Sequence, residues 1–525
     1  MSVLENGGLG SNHDADAPTS SEIQEKARQR PEVFHNTFSE CGFVFSIIMS
    51  LMICEFFISG FNIVLPDVAA TLNIPEAEQT WPAAVPNLTI AALLLPFARL
   101  CDRYGGRYIF LAGHTWAFIW SLAAGFSSTP DLLIVCRAMQ GVGFSATLPA
   151  GLALLGHTYR PGPRKNFVYG TYGSFACVGF YLGIIIGALA GQLLNWRWYF
   201  YIGAIIVFAV IIVGVLTIPR DIGDHDVDAR MDWWGLVTVV PGLALIVYAF
   251  SDGGHAPDGW RSPSIYVTLI VGALFLCAFV YVEGWVAAQP LLPSELFKPK
   301  YMKRLCAGLF CSYGVFGLFL FYASYYIQGI LHATPLQTAA WFLPLAVGGF
   351  FIAVCGGFVL HILSGRVLMI ISSAGYFLSC LLFALLPEQS NNQPSTTFLY
   401  WAYVFSAMLA STIGIDIAFN VTNVYITTAM PRRLQATAGA LINSMLYLGI
   451  AFWLGIGDLA IATSVQNGDE DPLDLRKQYK IAFWTGVGLS IVAFSLIATV
   501  DFGRAEAAMT ADEKAALDAA DERRD

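Results

Sequence analysis

Apolar runs of membrane-crossing length follow one another along almost the whole chain, and this limits what it can fold into. The hydrocarbon core of a bilayer is about 30 Å thick, so a spanning helix needs roughly 20 apolar residues. Fourteen runs qualify: 41–65, 81–99, 108–127, 131–155, 167–194, 198–218, 234–251, 264–286, 305–330, 336–360, 366–387, 399–425, 434–462 and 481–500. Backbone groups in hydrocarbon must be satisfied within their own segment, which makes each run a helix. Only 12% of the 525 residues are charged, about half the share in a soluble domain. The chain therefore reads as an all-α polytopic membrane protein. Residues 1–38 are polar, lack the apolar core of a cleavable signal and read as a disordered tail. The first span then serves as its own insertion signal.

The stretch Ala98–Arg107 orients the spans. It packs three arginines, Asp102 and two adjacent glycines into a tight turn between two apolar runs. Short loops rich in Lys and Arg mark the cytoplasmic face. With this turn inside, the inner loops hold Arg99, Arg103, Arg107, Arg160, Arg164, Lys165, Arg220, Arg230, Lys298, Lys300, Lys303, Arg304, Arg366, Arg432 and Arg433. The outer loops hold only Arg197, Arg261, Arg476, Lys477 and Lys480. Both tails are therefore expected inside. Pro163-Arg164-Lys165 with Gly170, and Pro431-Arg432-Arg433 with Gly439, punctuate spans 5 and 13 alike. This suggests two six-helix halves separated by an inserted pair, spans 7 and 8. The expected divisions are a tail at 1–38, a first bundle at 39–218, the inserted pair and its linkers at 219–300, a second bundle at 301–503 and a cytoplasmic tail at 504–525.

Charges inside spans are rare because each costs about 2.5–3.5 kcal/mol at mid-bilayer on insertion scales. Arg137 lies in span 4, Glu55 in span 1, and Asp416 in span 12 with Asn420 and Asn423 following it. Arg137 and Glu55 both fall in the outer half by residue count, so they are within reach of pairing. Each charge has two readings: a structural partner for its neighbours, or a contact for substrate or proton. Gly179, Gly183, Gly187 and Gly191 recur every four residues in span 5, a spacing that lets another helix backbone approach closely. Span 9 carries Tyr313, Tyr322, Tyr325 and Tyr326, either an interfacial belt or a cavity lining.

Other chemistries are not signalled. The ten cysteines are scattered singly and read as small buried hydrophobes rather than metal ligands or disulfides. The histidines do not cluster at ligand spacing, and no nucleotide loop or nucleophile elbow is present. No cofactor, metal or nucleic-acid partner is expected. Any energy source must then be an ion gradient.

These residues also resemble a known family. Ala98–Arg107 is similar to the loop signature of the major facilitator superfamily, matching at Leu100, Asp102, Arg103, Gly105 and Arg107. Leu133, Arg137, Gln140, Gly141 and Gly143 resemble its span 4 signature. The span 5 glycines resemble its antiporter signature, with Ile184 in place of Pro and Ala188 in place of the last Gly. Asp232-Trp233-Trp234-Gly235 and Asn195-Trp196-Arg197-Trp198 look like the fourteen-span drug:proton antiporter group. The loop 159–166 looks like its fungal aminotriazole-resistance and low-affinity ammonium transporter branch. The resemblance implies a major-facilitator fold, two six-helix bundles plus two inserted helices, rocking around a cavity lined by spans 1, 4, 9 and 12. It implies a monomeric transporter in the cell membrane or vacuolar membrane that exchanges protons for a small organic molecule. Glu55, Asp416 and Arg137 become candidates for proton coupling. Asn62, Gln140, Tyr313, Tyr322, Tyr325, Asn420 and Asn443 become candidates for the cavity. Asp102, Arg103, Gly105 and Arg107 become the inner gate. Import of a solute such as ammonium, or a non-transporting sensor, are the alternatives.

Overall fold

A computed structural model describes residues 29–160, 163–220, 222, 230–387, 395–466 and 474–500. Most of the polar N-terminal tail (1–28), the acidic run 467–471 and the C-terminal tail 504–525 lie outside the described residues. So do the side chains of Cys355, Arg432 and Arg433.

The spans are helices α1 (Thr37–Leu72), α2 (Trp81–Tyr104), α3 (Gly106–Gly125), α4 (Pro130–Thr158), α5 (Pro163–Leu193), α6 (Arg197–Thr217), α7 (Trp233–Asp252) and α8 (Pro263–Tyr281). The second half comprises α9 (Met302–Tyr325), α10 (Pro335–Trp341 and Leu343–Ile362), α11 (Gly365–Ala384), α12 (Thr396–Leu399 and Phe405–Ala429, joined by the wide turn Tyr400–Val404), α13 (Arg432–Gln466) and α14 (Leu475–Ala498). Helix α10 breaks at Phe342 because Pro344, two residues on, has no N–H to give the preceding turn. Thirteen of the fourteen are long and apolar enough to cross a membrane by composition alone. The fourteenth is α3, diluted by Arg107, Tyr108, His114 and two tryptophans. It packs against α4 and α6 like the rest, which makes fourteen spans among the described residues.

Helix α1 runs well beyond 41–65. Asn36 caps it, its side chain accepting from the Ser39 N–H at 2.7 Å. Phe34 is buried with its ring 5.1 Å from that of Phe43. Residues 34–38 thus belong to the bundle rather than to the polar tail.

The halves repeat one packing scheme. In the first, α1 packs on α5, α2 on α4, and α3 on α4 and α6; in the second, α9 packs on α13, α10 on α12, and α11 on α12 and α14. Equivalent arginines close the inner edge of each. Arg107 Nη2 donates to the Val215 carbonyl at 3.3 Å, and Arg366 Nη2 to the Ala498 carbonyl at 3.1 Å. The inserted α7 and α8 pack on each other, and α7 also touches α2 and α13, the helices where the halves meet.

Candidate functional site

Glycine sets the position of α1. The faces of Gly179, Gly183 and Gly187 meet the α1 backbone at Met52, Phe56 and Gly60, and a methyl group on Gly183 would strike the Phe56 carbonyl. Gly191 faces Asp67 and Val64. Ser59 Oγ donates to the Phe180 carbonyl at 2.6 Å, and Tyr199 OH to the Phe56 carbonyl at 2.6 Å. This seam holds α1 rigidly on both sides of Glu55.

Glu55 and Asp416 are each half-buried, and each takes a bond from the opposite half of the protein. Tyr447 OH, on α13, donates to Glu55 Oε1 at 3.4 Å. Cys177 Sγ, on α5, donates to Asp416 Oδ1 at 3.6 Å. Cys54 Sγ lies 3.6 Å from the same Tyr447 hydroxyl. All of these residues sit near the middle of their helices. The Tyr447 hydroxyl and the Cys177 thiol are neutral, so protonating either carboxylate changes a contact between the halves. Asn420 and Asn443 are partly exposed on α12 and α13, and Asn443 Nδ2 is turned to the Gly439 carbonyl at 2.9 Å.

Arg137 does not join this pair. Its Nε donates to the Pro82 carbonyl at 3.1 Å, and its Nη1 to the Phe57 carbonyl at 2.9 Å and to Gln140 Oε1 at 3.1 Å. The guanidinium lies over the Phe61 ring, 4.1 Å from its centroid, and the residue is 1% exposed. Arg137 is a strut tying α4 to α1 and α2, and the reach toward Glu55 inferred from residue counting is not used. Gln140 is buried with it, its Nε2 donating to Ser121 Oγ at 2.9 Å. Tyr313 is wholly buried within the second half, near Tyr376. Tyr322 and Tyr325 lie higher, in an aromatic group with Phe321 and Tyr479. Asn62 is buried, its Nδ2 bonded to the Ile58 carbonyl at 3.1 Å.

The halves touch on their outer sides. Ser324 Oγ donates to the Asn62 carbonyl at 3.1 Å, Gln328 Nε2 to the Ile63 carbonyl at 3.3 Å, and Tyr181 OH to the Ala339 carbonyl at 3.2 Å. The Leu336 N–H donates to Gln192 Oε1 at 3.0 Å. Above this layer is a vestibule of about 500 Å³ between Pro66, Ala70, Tyr325 and Tyr479. On the inner side Gly170, Gly173 and Gly439 face open space, and Phe167 is 75% exposed. An apolar cavity of about 640 Å³ runs there between α1 and α5, past Phe45, Ile48, Phe175 and Met52. Met52 is three residues before Glu55 and on the same helical face. The halves are thus bonded to each other on the outer side, while the inner ends of α5 and α13 stand clear at Gly170, Gly173 and Gly439.

In the inner turn, Gly105 takes a positive φ of 85° and its N–H closes α2 on the Cys101 carbonyl. Arg99 Nη1 lies 4.0 Å from Asp102 Oδ2, and its Nη2 donates to the Pro290 carbonyl of the linker at 2.9 Å. Arg103 lies over Tyr104.

Two clusters were not read from the sequence. At the inner end, Glu40 accepts from Tyr159 OH and Arg164 Nε, each at 2.8 Å, joining α1, α4 and α5. At the outer end, Asp458 is buried on α13 and accepts from His255 Nε2 at 2.9 Å and Thr80 Oγ1 at 3.3 Å. The cost argument that picked out Asp416 applies equally to Asp458, which lies inside the run 434–462.

Comparison with known proteins agrees with this architecture. The family model described as Major Facilitator Superfamily matches residues 46–454. The chain is 33% identical to the "Low affinity ammonium transporter" of Saccharomyces cerevisiae over 80% of each protein. It is 30% identical to "Efflux pump terJ" of Aspergillus terreus over 88% of each. It is 27% identical to the "Aminotriazole resistance protein" of Saccharomyces cerevisiae, over 89% of this chain and 84% of that one. Among solved structures, a peptide transporter bound to sulfate superposes with a TM-score of 0.64 at 14% identity, covering 91% of this chain and 99% of that one.

Proposed function

The chain belongs to the Major Facilitator Superfamily and is a multi-pass membrane transporter rather than an enzyme; from that premise we propose that it is a monomeric, proton-coupled exporter of a small organic molecule, with Glu55 and Asp416 as its proton carriers. The observation that supports this is the reciprocal pair of bonds between the halves, Tyr447 to Glu55 and Cys177 to Asp416. A carboxylate accepts these bonds best when ionised. Protonation weakens both at once and loosens the contact between α1 and α13 and between α5 and α12. An external proton arriving in the outward-open state returns the carrier inward, and its release inside resets the bonds. Two relatives named for efflux and resistance favour export.

The relative named for ammonium favours import as the second reading. Ile184 and Ala188, both fully buried where the antiporter signature has Pro and Gly, fit it as well. Flux in reconstituted vesicles under an imposed pH gradient separates the two. With labelled aminotriazole and labelled ammonium as probes, export predicts movement of the transported probe toward the more acidic side. Movement toward the alkaline side, or movement indifferent to the gradient, refutes proton-coupled export.

A further inference from the structure

The outer gate is joined at a point that neither half supplies alone. Asp458 stands near the outer end of α13, 6% exposed. Its Oδ2 is shared by His255, in the loop that joins the inserted pair, and by Thr80, at the start of α2. The second half, the inserted pair and the first half thus meet at one oxygen. Below it, Leu88 of α2, Val247 of α7 and Ala451 of α13 form a small buried cluster, again one residue from each body. The inserted pair is therefore strapped across the seam between α2 and α13. Alternating access requires that seam to part at its outer end, and Asp458 must then give up its partners.

We propose that His255 and Asp458 form an external proton-binding latch: a proton held between them straps the inserted pair across the closed outer gate, and its loss to the outer solution frees the gate to part. This site is separate from Glu55 and Asp416, whose proton crosses the membrane; the latch proton is taken from and returned to the same side. Other groups face it from each neighbouring element. Asp252 of α7, bonded to Tyr248 OH at 2.8 Å, and Glu78 of the α1–α2 connection both add negative charge beside His255. Tyr322 of α9 faces Asp458, its buried hydroxyl without a hydrogen bond among the described residues. The Asp458 hydrogen bond chiefly, with these charges and against the effect of burial, raises the imidazole above its ordinary value. A raised histidine is charged and paired in acid, and the pairing is lost as pH rises through the raised value.

Ser324 is a suitable reporter because it is fully buried where it meets Asn62 across the halves. The full-length Ser324→Cys chain, oriented right side out in vesicles with fixed internal pH, is labelled from outside with a membrane-impermeant maleimide. Each rate is divided by that of the unfolded chain at the same pH, with the parent chain as background. The normalised rate should rise severalfold as external pH goes from about 5 to about 8. His255→Gln and Asp458→Asn, both checked for monodisperse folded protein, should label fast with no pH dependence. A flat profile in the Ser324→Cys chain, or an unchanged profile in His255→Gln, overturns the latch.

Discussion

Arg137 and Glu55 sit on facing helices at similar depth, yet the arginine is bound to backbone and the glutamate to a tyrosine. Position along a helix signals that a charge is buried but not what it bonds. Backbone carbonyls such as those of Pro82 and Phe57 carry no side-chain signature. The neutral partners of the carboxylates are as hard to foresee: Tyr447 lies 392 residues from Glu55, and Cys177 lies 239 from Asp416. Only folding makes them neighbours. The strut has a consequence that separates it from a proton carrier. A lysine has one compact charge and cannot reach Pro82, Phe57 and Gln140 together. Arg137→Lys should therefore lower the thermal midpoint of the detergent-solubilised protein, with a loss on the order of 3 kcal/mol from the missing charged hydrogen bonds. Lost transport with an unchanged midpoint would point instead to direct contact with proton or substrate.

Helix α5 shows what spacing alone conveys. Glycines every fourth residue announced a close helix contact, and the partner proved to be α1. The identity of that partner needed the fold, because every span offers a small or apolar face. The same helix contains its own control. A methyl group at Gly183 meets the Phe56 carbonyl, while at Gly170 it meets nothing within 4 Å. Gly183→Ala should cost about 1–3 kcal/mol through overpacking. Gly170→Ala should be neutral or stabilising by up to about 1 kcal/mol, since alanine is the better helix former. Thermal midpoints of the two variants read the difference directly. Equal midpoints would mean that the seam yields without cost. Helix α3 teaches the reverse lesson: its polar dilution hides it from a composition test, but the basic turn before it and the run behind it reveal it.

At the scale of the whole molecule, the apolar runs and the charge bias of the loops made the span count and the two-half plan legible. The sequence does not carry the state of the gates, which depends on contacts between distant helices such as Ser324 with Asn62 and Thr80 with Asp458. In the structure, the outer side is sealed by these bonds, and on the inner side an apolar cavity runs along α1 as far as Met52. Coupling then requires that the bonds between the halves at Glu55 and Asp416 respond to protons, and a carrier in which both groups are permanently neutral, as in the protonated state, is free to rock without them. The most direct test uses the Glu55→Gln, Asp416→Asn double variant in vesicles, with the probe that the parent chain moves. Counterflow exchange at equal pH needs only rocking, whereas accumulation under a pH gradient needs the carriers. The account predicts that the double variant keeps counterflow and loses gradient-driven accumulation; accumulation that persists in the double variant would contradict it.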